Sequence, residues 1–558
     1  MPNLFTARVR RIAAAAVAAA LVASGLVLAA YPADAAAKSW SATSTKALEL
    51  THATLLTKHA SNSRQLRLTV GLAPRDRAGL QKLISRQDTR GSGVYGKYLT
   101  PAQFTARYAA TKSSANAVRT YLRSQGMRNL RLAGNRLQIT ATATVAQAEK
   151  AFHTNIAAYR RHGRRVLANT APAMVPSALR GKVNAVLGLS TLGFTADTPT
   201  VPKLTGYYPA EFNKVYDAGT TKAGTKTKMA VIAEGDVTQT IKDLRLAESK
   251  QHLRTVPVSV VYTGPKSTDT SGVDEWNLDT QTSTGVAPNV ARLLIYVASS
   301  LTNADLARAI NTWVTQDSAQ AASASLGECD ALPFLDGSML LDDMALAEAA
   351  AQGQTFMAST GDTGSSCAVA GTNGVPGSGA PDTEYPASSP YTLAVGGTTL
   401  DTDDADNYGT EIAWNAGGGG ASPVENGGAW QSGAVPTSAA GVRGVPDIAL
   451  DADPDTGALI YVDGAVEQIG GTSLSSPMAL GMWTRLQSSN KRHLGFAPPK
   501  LYALYAKAQD GSPLPPSAVP GFHDIVVGGN GAYVATPGWD YTTGLGSFDL
   551  NALNTALK

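Results

Sequence analysis

From about Leu204 to Lys558, short apolar runs alternate with helical patterns, and this rhythm limits the fold more than any other feature. Met229-Ala230-Val231-Ile232-Ala233 is a continuous apolar run closed by Glu234-Gly235-Asp236. Ala291 to Val297 is another, and Asn303 to Val314 has the spacing of an amphipathic helix leading to Ala322-Ser323-Ala324-Ser325-Leu326. Ala345 to Gln352 then reads as a helix and Thr355 to Ser359 as a strand. Strands buried on both faces and joined through helices make a mostly parallel sheet flanked by helices, with reacting groups beyond the carboxyl ends of its strands. No internal repeat is found.

Residues 38 to about 195 follow a different pattern. Thr100 stands as an N-cap before Pro101 at the first helical position, and Ser114 to Gln125 and Thr144 to Phe152 are further helical stretches. Leu130 to Leu132 and Leu137 to Thr140 alternate like strands. The expected unit is a small α+β domain, ferredoxin-like, with no cluster of catalytic side chains. Residues 196–206, polar and Pro-containing, read as an exposed linker to a second domain over 207–558.

Charge divides along the same line. The formal net charge of +4 hides 6 acidic and 28 basic side chains before Thr200, against 37 acidic and 19 basic ones from Thr200 onward. The average alone would suggest a weak nucleic-acid binder. The division suggests instead a basic segment clamped on an acidic partner within one chain, with no nucleic acid involved. At the N-terminus, Arg8, Arg10 and Arg11 precede an Ala-rich apolar run from Ile12 to Ala30, and Ala33-Asp34-Ala35-Ala36-Ala37 offers cleavage sites. Residues 1–37 are expected to be a signal peptide and the product to be secreted, without stable membrane association once the signal is removed; a membrane anchor is the alternative. The two cysteines, Cys329 and Cys367, suit a disulfide in an oxidising compartment, with two buried thiols as the alternative.

Gly470-Gly471-Thr472-Ser473-Leu474-Ser475-Ser476-Pro477 places a hydroxyl where a glycine turn enters a helix, a position suited to a nucleophile but also to an ordinary cap. A serine needs a base, yet His252, His493 and His523 each lack the glycine-rich setting of a catalytic histidine. Glu275 and Asp279, four apart, share one face if helical. Such a pair repels, raises one pKa and can take a serine proton in acid, although a lone Glu-x-x-x-Asp is commonly just a solvated face. Asp362, in Ser359-Thr360-Gly361-Asp362-Thr363-Gly364, ends an apolar strand; protonated, it could donate to an oxyanion, or it could merely cap its turn.

Together these motifs resemble the sedolisins, the serine-carboxyl peptidases, and most of all their pro-kumamolisin type. Tyr385-Pro386-Ala387-Ser388-Ser389-Pro390-Tyr391, Ala394-Val395-Gly396-Gly397-Thr398, Val445-Pro446-Asp447-Ile448-Ala449 and Ala452-Asp453-Pro454-Asp455-Thr456-Gly457 carry the likeness, and Leu99-Thr100-Pro101-Ala102-Gln103-Phe104 extends it to an activation domain. The resemblance implies a subtilisin-like catalytic domain over 207–558 preceded by a prodomain over 38–195 that inhibits its own enzyme. It implies Ser473 as nucleophile, Glu275 as general base, Asp279 as its orienting partner and Asp362 as the oxyanion residue. It also implies one calcium ion held by Asp524, Asp540 and the carbonyls of Ile525, Thr536 and Gly538, a hard-oxygen set.

Leu326 stands where kumamolisin-like members often carry Trp, so an auxiliary hydrogen bond to the carboxylates is expected to be missing or rerouted, with Glu234 as a candidate auxiliary acid. The expected function is acid-active endopeptidase chemistry on protein and peptide substrates by a secreted monomeric zymogen. The alternatives are a neutral subtilisin-type protease and a non-enzymatic secreted calcium-binding protein that retains the fold.

Overall fold

The computed structural model describes residues 39–558 apart from 49, 51–52, 162, 197–198, 203, 368–378, 436–440 and 510–518. The expected signal, 1–37, lies outside the described residues. Of those described, no helix is long and apolar enough to cross a membrane.

The apolar runs become a parallel sheet, as their two-sided burial requires. Its order is Val258–Tyr262, Arg292–Ala298, Lys228–Glu234, Ala321–Ala324, Thr355–Ser359 and Thr392–Thr402. Ile448–Asp451 joins the last of these in parallel, and Tyr408–Ala413 is its antiparallel neighbour. Two buried helices position the chemistry beside this sheet, Val273–Val286 and Thr472–Ser489. They approach closely because residue 481 has no side chain: a Cβ on Gly481 would lie 2.7 Å from Val286 Cβ and 2.9 Å from the Ser283 carbonyl. Much of Val273–Val286 is polar yet buried, and it satisfies itself by back-bonding, Thr280 to Trp276, Ser283 to Asp279 and Thr284 to Thr280, at 2.6–2.8 Å.

The preceding domain is a split βαβ pair, hence ferredoxin-like. Its antiparallel sheet has the order Arg128–Leu132, Gln138–Thr144, Gln65–Leu72, Val183–Leu187. The helix Pro101–Arg107 starts on a capping box, with the Gln103 N–H donating to Thr100 Oγ1 at 3.2 Å and the Thr100 N–H to Gln103 Oε1 at 2.9 Å. Val145–Phe152 starts on a second capping box, Thr144 with Gln147, and Lys112–Ser124 on the Thr111 side chain alone, which accepts from the Ser114 N–H.

Trp40–Lys558 forms one compact unit, in which the small domain lies on the helices Asn303–Gln316 and Ser338–Gln352. The charge division alone would predict a contact rich in ion pairs. Among the described residues two ion pairs cross it, Arg67–Asp305 at 2.5 Å and Asp88–Lys500 at 3.2 Å, the second with its polarity reversed. Neutral side chains dominate instead. Thr69 donates to the Ala304 carbonyl, Gln138 to Ala307, Gln87 to Ala351, and Asn135 to both Glu348 and Asn311. Ala185, Leu187, Ala304, Ala307 and Leu341 form an apolar cluster at the same contact.

Candidate active site

Glu275 and Asp279 lie one turn apart on Val273–Val286, and both are buried, so the solvated-face reading does not hold. Ser473 is the second residue of Thr472–Ser489 and is 5% exposed. Asp362 follows the strand Thr355–Ser359 at its carboxyl end. The fold brings all four together. Burial drives Glu275 well above the usual carboxylate range; Asp279 and Asp362 push it further, while hydrogen bonding from Ser473 and Ser325 pulls it back. Asp279 is also raised by burial, with Ser325 opposing. Both Glu275 oxygens are shut away from water without a well-formed hydrogen bond, so the neighbouring Ser473 hydroxyl meets a carboxyl group poorly solvated for charge. No histidine lines the cavity around Ser473 among the described residues.

Gly471 sets the turn into the nucleophile helix. Its φ of +93° belongs to the region that favours glycine, and a Cβ there would sit 2.4 Å from Asp362 Oδ2. Thr472 then ties that carboxyl to the turn, its N–H and hydroxyl both donating to Asp362 Oδ1 at 2.8 Å. The Gly361 N–H returns a bond to Thr472 Oγ1 at 3.1 Å. Sequence reading does not single out Thr472, because anchoring Asp362 beside Ser473 leaves no local signal.

The cavity beside Ser473 is lined by Asp362, Ser325, Gly327 and Glu384 of the larger domain and by Arg161 and Thr195 of the smaller. Cys329 and Cys367 form a disulfide at its edge. The end of the smaller domain and the segment that reads as an exposed linker are held on both sides of Ser473. Thr195 pairs with Gly327 through N–H to carbonyl bonds of 3.1 and 3.3 Å. Beyond it, the Gly470 N–H donates to the Pro199 carbonyl at 3.1 Å, and Thr200–Val201 pairs antiparallel with Gln468–Ile469.

Two further sequence candidates add no group to the carboxyl pair. Glu234 is buried and raised to about 7 by burial, with Asp269 and Asp305 adding to it, but it is not among the groups acting on Glu275 or Asp279. Leu326 lines the cavity beside Ser473 and packs into the core, an apolar side chain that brings the carboxyl pair no hydrogen bond. Asp524 and Asp540 are brought close enough to raise Asp524, which burial and Asp540 push up to about 6 against the Gly538 N–H. Asp540 accepts from the N–H groups of Thr536, Thr542 and Thr543. Ile525 is buried beside Asp524, whereas Thr536 is exposed. Among the described residues no three His, Cys, Asp or Glu side chains are grouped to hold a metal.

A subtilisin-like sheet carrying a serine at a helix start beside a buried carboxyl pair, with a prodomain seated on it, defines a serine peptidase of the carboxyl type. The comparisons agree. Residues 53–192 match the pro-kumamolisin activation domain and 259–534 the subtilase family. The chain is 36% identical to sedolisin from Pseudomonas sp. (strain 101), over 95% of this chain and 94% of that one. Xanthomonalisin from Xanthomonas sp. (strain T-22) is 34% identical over 88% of this chain and 65% of its own length. The solved structure of Pseudomonas sedolisin, a serine-carboxyl proteinase complexed with two molecules of pseudo-iodotyrostatin, superposes with a TM-score of 0.58 at 39% identity, covering 65% of this chain and 98% of that one. The chain belongs to the sedolisin family and is a serine-carboxyl peptidase with a prodomain.

Proposed function

We propose that this chain is a secreted zymogen of an endopeptidase that cleaves proteins in acid through an acyl-enzyme on Ser473. The observation that carries this reading is the Ser473 hydroxyl set against the buried Glu275–Asp279 pair. In the ionised pair Glu275 takes the Ser473 proton as Oγ attacks the peptide carbonyl carbon. The oxyanion accepts a hydrogen bond from protonated Asp362, whose Oδ1 is already an acceptor for Thr472, so that Oδ2 is the oxygen suited to carry the proton. Collapse breaks the C–N bond, the proton on Glu275 goes to the leaving amine, and water attacks the ester with Glu275 again as base. Acidity follows from the roles: Asp362 must hold a proton, and the pair must hold one proton between its members.

The first substrate is the chain itself. Thr195, paired to Gly327, lines the cavity beside Ser473, and the Pro199 carbonyl is held by the Gly470 N–H three residues before the nucleophile. Self-cleavage is expected between Thr195 and Pro199. Acidifying the purified precursor and sequencing the new N-terminus tests the whole reading; a start outside that interval, or no processing in acid, overturns it.

Release of the prodomain is expected to need stronger acid than the charge division suggests. Burial alone would raise Asp305, but the hydrogen bond from Arg67 and the charge of Arg308 hold it below its usual value. Its contribution is therefore complete above the ordinary aspartate pKa of about 4 and is lost as the pH falls through its lower value. Glu348 runs the other way. Burial raises it to about 8 against the Asn135 hydrogen bond, so proton uptake strengthens that contact as the pH drops below 8. Asp305→Asn should consequently shift the midpoint of prodomain release, followed by size-exclusion chromatography, upward by about one pH unit.

A calcium ion held by Asp524, Asp540 and the carbonyls of Ile525, Thr536 and Gly538 is part of the proposal. Two carboxylates close enough for Asp540 to raise Asp524 are a donor set suited to a hard cation, and the ion would supply structural charge neutralisation rather than a step in the reaction. Chelation should lower the melting temperature by several degrees, with calcium restoring it. An unchanged melting temperature would count against the ion.

A further inference from the structure

Ser325 follows directly on the strand Ala321–Ala324 and is 1% exposed, so the sheet fixes its position. Its hydroxyl has one proton and makes two well-formed contacts, Asp279 Oδ1 at 2.6 Å and the Ser473 carbonyl at 3.3 Å, with Glu275 also near enough to feel it. The second oxygen of Asp279, Oδ2, is buried without a hydrogen bond of its own. Ser325 therefore decides which oxygen of Asp279 is spoken for and links the carboxyl pair to the backbone of the nucleophile. In the sequence it is its neighbour Leu326 that stands out, and nothing local marks the hydroxyl of Ser325.

We propose that Ser325 is a positioning residue for the hydrolysis, donating to Asp279 Oδ1 in the pair that holds a single proton and so setting the acidity at which the Glu275–Asp279 pair becomes a base. When Asp279 is ionised, the Ser325 proton lies on Asp279 Oδ1. When Asp279 carries its own proton on Oδ1, it donates to Ser325, whose proton then turns to the Ser473 carbonyl. The charges that face the pair are its two members and Asp362; the other groups acting on it are the hydroxyls of Ser473 and Ser325. Removing a hydrogen bond made to the charged form favours the protonated form, so the pair would need a higher pH to ionise.

This inference rests on the acid-base reading given above. The test is kcat and KM against pH, from 2 to 7, for the mature enzyme, Ser325→Ala, Ser325→Thr and Ser325→Cys on a chromogenic peptide. Ser325→Ala should move the acidic limb of kcat upward by about one pH unit, with KM changed little. Ser325→Thr should restore the wild-type limb. Ser325→Cys, a weak donor of similar size, should shift it in the same direction, and serves if the alanine variant does not fold. A limb that stays in place in the folded alanine or cysteine variant, whatever the loss of rate, overturns the inference alone. Wild-type activity that survives Ser473→Ala overturns the underlying reading and this inference with it.

Discussion

Ser473→Ala is expected to lower peptide hydrolysis by roughly 10⁴-fold or more and to leave the acidified precursor at full length. The size of the effect follows from the loss of the only atom able to form the acyl bond in the proposed mechanism, since no remaining group can replace an attacking oxygen held against the carboxyl pair. The fold should survive. The Ser325 hydroxyl contacts the Ser473 carbonyl, which the substitution keeps, and the helix start is set by Gly471 and Thr472. A melting temperature within a few degrees of wild type, together with a residual rate below one part in about 10⁴, is the expected pair of results. Substantial residual cleavage would mean that another residue is the nucleophile.

Glu275→Gln should reduce kcat by roughly 10² to 10⁴-fold with KM little changed, because the amide keeps the shape of the side chain but cannot take the serine proton. The same change should stabilise the protein at neutral pH. Burial and Asp279 raise Glu275 in the folded state. A carboxyl raised on folding favours the folded state below its unfolded pKa of about 4.3, and that advantage is lost as the pH rises toward the folded value. Glutamine has no such loss. The variant should therefore melt above wild type at pH 7, with the difference shrinking toward pH 4, while its activity is low at both. A variant as active as wild type would remove Glu275 from the mechanism.

The local elements are legible where a side chain meets its own backbone. Thr100, Thr111 and Thr144 cap the helices that follow them, because an N-cap needs only a hydroxyl and the next three residues. The apolar runs at Met229 and Ala291 declare strands buried on both faces. The hairpin Ile156–Arg161 with Arg164–Asn169 escapes sequence reading, since a strand that finds its register through a partner carries a weaker local pattern. Val445-Pro446-Asp447, conspicuous in the sequence, turns out to be structural. Arg443 grips Asp447 through two bonds of 2.6 and 2.7 Å, while the Ala394 N–H donates to the same carboxyl.

Polar and proline-containing composition makes residues 196–206 read as solvent-exposed, yet the described part is pinned across the cleft by backbone bonds that any residue except proline can donate. The net charges likewise foretell attraction between the two domains without foretelling its form. Long-range charge acts before contact, whereas the contact itself excludes water and favours neutral donors and apolar side chains over ion pairs that must first lose their hydration.

Sequence alone therefore determined the turn carrying Ser473, the strand end carrying Asp362 and the spacing that sets Glu275 and Asp279 on one face if helical, because each is written in residues next to one another. Only the tertiary structure decided that these three pieces meet, that Thr472 and Ser325 hold them in place, and that residue 195 lies beside Gly327. Those are contacts between residues far apart along the chain, and their strength comes from burial and from proton sharing that exist only once the sheet and helices have closed around them.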